Sequence, residues 1–119
     1  MKALLDEGVP RRLAVLLRAK GSDVSGFPNA WKGLQNGELL RRMQSESVGC
    51  LITCDKNLVF QQNFISAGIS SLVLPTQDIA ALTTISDLIA AALRQVQPGV
   101  AVLIGHDGSF ETIKSPLKK

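Results

Sequence analysis

Three acidic residues stand beside short apolar runs in distant parts of this 119-residue sequence. Asp6 closes the run KALL, Asp55 follows CLITC, and Glu38 opens the apolar stretch of NGELL. Carboxylates that converge from separate segments can supply the hard oxygen ligands that Mg²⁺ and Mn²⁺ prefer. These cations also bind water and phosphate oxygens. A cation held in this way lowers the pKa of a bound water and offsets charge on a phosphodiester. The three acids therefore suggest metal-assisted phosphodiester chemistry.

Each acid also has an ordinary structural explanation. Glu38 in the first turn of a helix would stabilise the helix dipole. Asp55 would cap a helix that begins near Asn57, and Asp6 would be the solvated end of a strand. The pattern of residues by itself leaves these alternatives open.

The elements that must position the acids alternate along the chain. We predict strands in KALLDE, SDVSGF, VGCLITCD, ISSLVLP and VAVLI, the last paired with FETIK across the turn HDGS. Helices are predicted in RRLAVLLRAK, from Gly37 with Asn36 as the cap, in NLVFQQNFISAG, and in DIAALTTISDLIAAALRQVQ. This alternation predicts a three-layer α/β fold with a central, mostly parallel, five-stranded sheet. In such sheets ligands bind outside the carboxyl ends of the strands, which is where Asp6 and Asp55 stand.

Composition predicts one domain over residues 1–119, with a frayed tail at about 115–119. Hydrophobic residues make up 45% of the chain and the net charge is +3, which is too weakly basic to indicate a nucleic-acid partner by itself. We expect a cytoplasmic protein, because no apolar run reaches the about 20 residues of a membrane span and no signal peptide is evident. Cys50 and Cys54 would lie about 13 Å apart on one strand, too far for a disulfide, and are expected to be free, buried thiols.

Three longer stretches carry a resemblance to a known family. LLDEGVPRRLAVLLRAKG, NAWKGLQNGELL and LITCDKNLVFQQN, in this order and spacing, resemble the PIN-like domain family over nearly the whole chain. Many of its members are toxins of toxin–antitoxin pairs related to the VapC type. The resemblance implies a PIN-like (Rossmannoid) three-layer sandwich and a metal-dependent endoribonuclease.

The resemblance also implies roles for individual residues. Asp6, Glu38 and Asp55 would be the catalytic residues and the ligands of Mg²⁺ or Mn²⁺, and Thr53 would orient Asp55 in a T-x-D element. RNA would be the substrate, a small antitoxin protein a partner, and a homodimer the expected assembly. The family often has a further Asp where this chain has Asn57, and an amide ligand brings no charge to a cation.

Three functions therefore stay open. The first is a PIN-like ribonuclease that hydrolyses RNA phosphodiester bonds. The second, motivated by Asn57, is a catalytically weakened PIN-like domain that acts by binding protein or RNA. The third is a phospho-acceptor receiver-like domain with Asp55 as the acceptor, although GVAVLIGHD offers no lysine at the end of its strand.

Further side chains are candidates for supporting roles at this edge. Glu7 would be a neighbour of the site or a fourth acid, but strand alternation would turn it away from Asp6 unless the strand ends there. Gln62 and Asn63 belong to a polar triplet in an apolar helix, and would line the site or hydrogen-bond the loop around Trp31.

Basic residues near the acids are weaker candidates for RNA binding. Arg11 and Arg12 open the first helix and Lys56 follows Asp55. They would contact a phosphate backbone, and solvated surface positions explain them equally well.

Overall fold

The computed structural model describes residues 1–57 and 62–113. These residues form a six-stranded sheet in the order β2-β1-β3-β4-β5-β6. Neighbouring strands are parallel except for the antiparallel pair β5–β6. The strands are β1 (Ala3–Leu5), β2 (Val24–Ser25), β3 (Cys50–Thr53), β4 (Ser70–Val73), β5 (Ala101–Ile104) and β6 (Phe110–Ile113). The predicted α/β class and the mostly parallel sheet are confirmed.

Helices connect the parallel strands. They are α1 (Arg12–Ala19), α2 (Asn36–Ser45), α3 (Gln62–Ser66), α4 (Ile79–Thr84) and α5 (Ser86–Gln95), with a 3₁₀ turn at Asn29–Trp31. No helix within the described ranges is long and apolar enough to cross a membrane. Residues 58–61 of the predicted helix NLVFQQNFISAG and the predicted frayed tail 115–119 lie outside the described residues.

The core is divided between the two faces of the sheet because successive strand residues point to opposite sides. Leu4 of β1 packs on one face, while its neighbours Ala3 and Leu5 pack on the other. Both faces are covered by helices, which explains why every residue of β1, β3 and β4 is buried and why most of them are apolar. The first face carries α1, α4 and α5, with buried residues that include Leu13, Leu17, Leu82 and Ile89. The second carries α2, α3 and the 3₁₀ turn, with buried Trp31, Leu39, Met43 and Phe64.

The predicted number of strands is wrong, since the sheet has six strands and not five. The extra strand is β6, which follows the predicted tight turn and pairs with β5 from Ile104↔Phe110 to Ala101↔Ile113. It lies at the edge of the sheet and is mostly exposed. An exposed edge strand lacks the continuous apolar run that marks the buried strands, so its sequence signal is weak.

The predicted long helix over residues 78–97 is two helices that meet at Ile85, whose φ of −106° and ψ of 14° are not helical. The hydroxyls of Thr83 and Thr84 donate to the carbonyls four residues earlier, those of Ile79 and Ala80. Such back-bonding by threonine bends helices. The apolar periodicity continued across the break and hid it.

The predicted cap of α2 is also wrong. Asn36 is the first residue of the helix and Gln35 is its N-cap, with no hydrogen bond from its side chain. Glu38 lies in the first turn as expected, where its charge is favourable toward the helix N-terminus.

Candidate active site at the carboxyl edge of the sheet

The strand order creates a crevice between β1 and β3. From β1 the chain passes to α1 on one face, where Leu13 is buried, and from β3 it passes to α3 on the other face, where Phe64 is buried. Two neighbouring parallel strands whose connections leave in opposite directions form a topological switch point, which is where open α/β sheets bind ligands. Asp6 directly follows β1, and Cys54 and Asp55 directly follow β3.

One hydroxyl joins the two aspartates at this crevice. Oγ1 of Thr53 donates to Oδ2 of Asp6 over 2.8 Å and accepts from the backbone N–H of Asp55 over 3.0 Å. Thr53 is only 1% exposed. Its hydroxyl is therefore shielded from solvent and joins the end of β1, at Asp6, to the end of β3, at Asp55. The predicted T-x-D element is thus a physical link between Asp6 and Asp55, and Thr53 does more than pack.

The remaining contacts hold each carboxylate in place. Asp6 Oδ1 accepts from the backbone N–H of Glu7 over 2.8 Å, and the Asp6 N–H itself donates to the Ile52 carbonyl over 2.7 Å. Asp55 Oδ1 accepts from the Asn57 N–H over 2.9 Å. This last bond, from an N–H two residues on, is the contact that a helix cap would make, and it occupies one lone pair of one oxygen. The helix expected near Asn57 would continue into residues 58–61, which lie outside the described residues.

Glu7 supports the site through its backbone. The strand ends at Leu5, so the alternation that would turn Glu7 away from Asp6 does not apply. Its N–H orients Asp6, while its side chain belongs to an exposed residue. A role for the Glu7 carboxylate as a fourth acid stays a prediction.

Glu38 is exposed and forms an ion pair with Arg41, with 2.7 Å between Glu38 Oε1 and Arg41 Nη2. Within residues 1–57 and 62–113, no three His, Cys, Asp or Glu side chains form a group that could hold a metal ion. The Thr53 hydroxyl thus links the Asp6 carboxylate to the backbone of Asp55, whereas the described contact of the Glu38 carboxylate is with Arg41. The participation of Glu38 stays a prediction.

The basic candidates differ in what they contact. Arg11 donates to the Phe27 carbonyl and to Asn29 Oδ1, so it ties α1 to the loop after β2. Arg12 and Lys56 are exposed. Their predicted contacts with RNA stay predictions.

The structure describes only part of the polar triplet that contains Gln62 and Asn63. Asn63 is exposed on α3, and the side chain of Gln62 lies outside what the structure describes. Trp31 is 8% exposed and packs edge-on against Phe27, with ring centroids 6.3 Å apart. The indole packs at the edge of the core on the second face of the sheet, together with Leu39, Met43 and Phe64. It offers no exposed face for stacking on a base.

The loop after β4 forms a third side of the crevice, which the sequence did not indicate. Cys54 Sγ donates to the Thr76 carbonyl over 3.3 Å. A Cβ added to Gly8 would lie 3.0 Å from Nε2 of Gln77, so this amide lies against the loop that follows Asp6. The TQ pair carries no motif that marks it in the sequence, because the contacts arise only when β4 is placed beside β3.

Both cysteines are free, as predicted, and both are poor nucleophiles. Burial raises the pKa of Cys50 to about 12. The pKa of Cys54 is also raised, by burial and then by the nearby Asp6 carboxylate. Cys54 lies beyond the last residue of β3, so the prediction that the two thiols share one strand is wrong.

These pKa values predict slow alkylation of the native protein, because the thiolate is the reactive species. At about pH 8, iodoacetamide should modify the half-buried Cys54 slowly and Cys50 only after unfolding in urea, as followed by intact mass and peptide mapping. Raised pKa values keep both native thiols protonated at a pH where a free thiol is ionised, so the difference between native and unfolded protein should widen as the pH rises through the pKa of a free thiol, about 8.5. Equal labelling of Cys50 in native and unfolded protein would contradict its burial.

The chain matches no protein-family model, no curated protein and no solved structure. Its function is therefore inferred from the residues and their geometry.

Proposed function

We propose that this protein is a PIN-like, Mg²⁺- or Mn²⁺-dependent endoribonuclease of the type found as toxins in toxin–antitoxin pairs. The observation that carries this proposal is the Thr53 hydroxyl, which links Asp6 at the end of β1 to Asp55 at the end of β3. A structural cap on Asp55 does not require a hydrogen bond to a second carboxylate from another strand. In this proposal the carboxylates of Asp6 and Asp55 would contact the same ligand at this edge.

The donor set of this edge fits a hard divalent cation. Asp6 and Asp55 offer carboxylate oxygens, and each oxygen has two lone pairs, of which the hydrogen bonds described above use at most one. Mg²⁺ is commonly bound by one or two carboxylates while keeping several waters and substrate phosphate oxygens. Two aspartates would therefore suffice for a site that is completed by water and RNA, and Glu38, which pairs with Arg41, stays a predicted further ligand.

The residues of the site have separate tasks. Asp6 and Asp55 would bind the cation, and Thr53 and the Glu7 N–H would hold the Asp6 carboxylate in one orientation. When bound, the cation would offset phosphate charge and lower the pKa of a water. A carboxylate oxygen of Asp55 beside the crevice would accept the proton of a water held there. Asp6 is half-buried and Asp55 is exposed, which leaves room for an RNA strand.

A second candidate function is binding without catalysis. Asn57 supplies an amide where the family often has an acid, and the Glu38 carboxylate is paired with Arg41. A site with two free aspartates binds a second cation weakly, since affinity for divalent cations depends on the number of charged ligands. In this case the same edge would bind RNA or an antitoxin without cleaving it.

The phospho-acceptor hypothesis has less support. It needs a lysine at the end of the strand β5 to hold the phosphoryl group, and β5 is followed by Gly105 and His106. One carboxylate oxygen of Asp55 also accepts a hydrogen bond from the Asn57 N–H.

Mn²⁺ titration of Thr53 variants tests the ribonuclease proposal. The wild-type protein should bind Mn²⁺ in calorimetry, and Thr53→Val should bind it about 10- to 100-fold more weakly, because groups that orient metal ligands contribute that much. Thr53→Ser keeps the hydroxyl and should bind like the wild type. The single-stranded RNA cleavage of all three should follow their metal affinity and stop in chelator.

Two results would contradict these expectations in different ways. Wild-type protein that takes up no Mn²⁺ at millimolar concentration would favour the binding function. A folded Thr53→Val variant, as shown by circular dichroism, that binds Mn²⁺ with wild-type affinity would mean that the Thr53 hydroxyl does not contribute to the metal site.

A further inference from the structure

A cleft of about 270 Å³ opens beside the candidate site. It lies at the carboxyl ends of β4 and β5 and the start of β6, where Val73, Leu103 and Phe110 line it together with Lys56. Lys56 directly follows Asp55, so one end of the cleft adjoins the candidate site. Pockets for drug-sized ligands span about 300–1,000 Å³, and this smaller cleft suits a flat group such as one nucleobase.

The side chains of the cleft have the chemistry of a base-binding site. Phe110 is 43% exposed although its neighbour in the sheet, Ile104, is buried, and exposed aromatic rings stack on unpaired bases. Lys56 is an exposed cation that can neutralise a phosphate. Glu111, which also lines the cleft, can accept a hydrogen bond from an exocyclic amino group such as N4 of cytosine.

We propose that this cleft binds the base of a nucleotide next to the scissile phosphate of single-stranded RNA. Phe110 stacks on the base, Lys56 contacts the phosphate between the cleft and Asp55, and Glu111 accepts from the edge of the base. This assignment rests on the proposed ribonuclease function, because it takes the position of the scissile phosphate from Asp6 and Asp55.

The position of the cleft within the sheet supports this assignment. The parallel strands β3, β4 and β5 are consecutive in the sheet, and neighbouring strands are about 4.8 Å apart. The end of β5 therefore lies about 10 Å from the end of β3, close enough for a base beside the reacting phosphate. Single-stranded RNA is the fitting partner because its bases are free to turn out and stack on a side chain.

The test uses a short single-stranded oligoribonucleotide in chelator, where the proposed metal-dependent cleavage does not run, labelled for fluorescence anisotropy. One position at a time is replaced by an abasic nucleotide. In the wild-type protein, one abasic position should weaken binding about 5- to 150-fold, which corresponds to the stacking of one base. Phe110→Ala should weaken binding of the intact oligonucleotide by a similar factor and should be insensitive to that abasic position.

Three variants complete the design. Phe110→Trp keeps a stacking ring and should bind like the wild type. Val15→Ala is the matched control, because Val15 is also an exposed apolar side chain, at 57%, but belongs to α1. Glu111→Gln should bind intact oligonucleotides that place cytosine in the cleft more weakly than those that place uracil there, relative to the wild type.

The outcomes separate this inference from the function on which it rests. If every abasic position has the same effect in the wild type and in Phe110→Ala, the cleft is not a base site, whatever the metal titration shows. If the base site is found but the protein neither binds Mn²⁺ nor cleaves RNA, the cleft is retained as an RNA-binding site and the ribonuclease proposal fails. An oligonucleotide that does not bind the wild-type protein at all overturns the inference.

Discussion

Asp55→Asn is expected to reduce Mg²⁺-dependent RNA cleavage by at least about 100-fold, since a metal site contributes several kcal/mol to the transition state. The fold should survive. The Asn57 N–H is bonded to a carboxylate oxygen of Asp55, and the amide oxygen of asparagine can accept the same bond. The backbone N–H of residue 55 keeps its bond to Thr53. Only the negative charge is lost, and with it a ligand for the cation. Cleavage of a labelled single-stranded RNA, followed on a gel with Mg²⁺ and with chelator, measures the effect.

Asp78→Asn is the matched control for this variant. Asp78 stands in the loop after β4, is the N-cap of α4, and accepts from the Ala80 N–H over 3.2 Å. The substitution therefore makes the same chemical change in an equivalent capping position that lies outside the Asp6–Thr53–Asp55 link. Asp78→Asn should keep its cleavage rate. Equal rates for Asp55→Asn and the wild type, or cleavage that continues in chelator, would refute a metal site at Asp55.

Leu72→Ala is expected to destabilise the protein by about 2–5 kcal/mol, as large-to-small substitutions in a core do. Leu72 is fully buried at 0% exposure and lies in β4, between β3 and β5. Its side chain is part of the core cluster beneath α1, α4 and α5. Truncation to alanine would therefore leave a cavity in the middle of this cluster. Urea unfolding followed by circular dichroism measures the free energy of unfolding.

Leu88→Ala provides the comparison. Leu88 is 47% exposed on α5, and a substitution at the surface typically changes stability by less than about 1 kcal/mol. The loss in Leu72→Ala should exceed that in Leu88→Ala several-fold. Similar losses would mean that β4 is not central to the core.

The strands of this fold are predicted from sequence where they are buried on both faces. Every residue of CLIT and SSLV is buried, because helices cover both sides of β3 and β4. The mainly apolar runs around them indicate a parallel sheet. The exposed edge strand β6 was predicted as FETIK, paired with VAVLI across the turn, but was left out of the predicted five-stranded sheet. The division between α4 and α5 was missed because threonine back-bonding interrupts the backbone without interrupting the apolar period.

The residues of the candidate site were also predicted in part from the sequence and decided in part by the tertiary structure. The sequence by itself identified Asp6, Glu38 and Asp55 and placed both aspartates at the ends of strands, since these are local properties of short runs, while Thr53 was added by the PIN-like resemblance. The PIN-like resemblance added their roles in metal-dependent cleavage, which the proposed experiments test. The position of Asp6 relative to Asp55 depends on the strand order.

Only the tertiary structure decided which side chains meet. It joined Asp6 to Asp55 through the Thr53 hydroxyl, paired Glu38 with Arg41, and placed Gln77 and the cleft around Phe110 at the same edge. Parallel strands are paired through long crossovers, so neighbours in the sheet are far apart in the chain, as Asp6 and Thr53 are. Hydrogen bonds between such residues leave no spacing pattern in the sequence, and they appear only once the strands lie side by side.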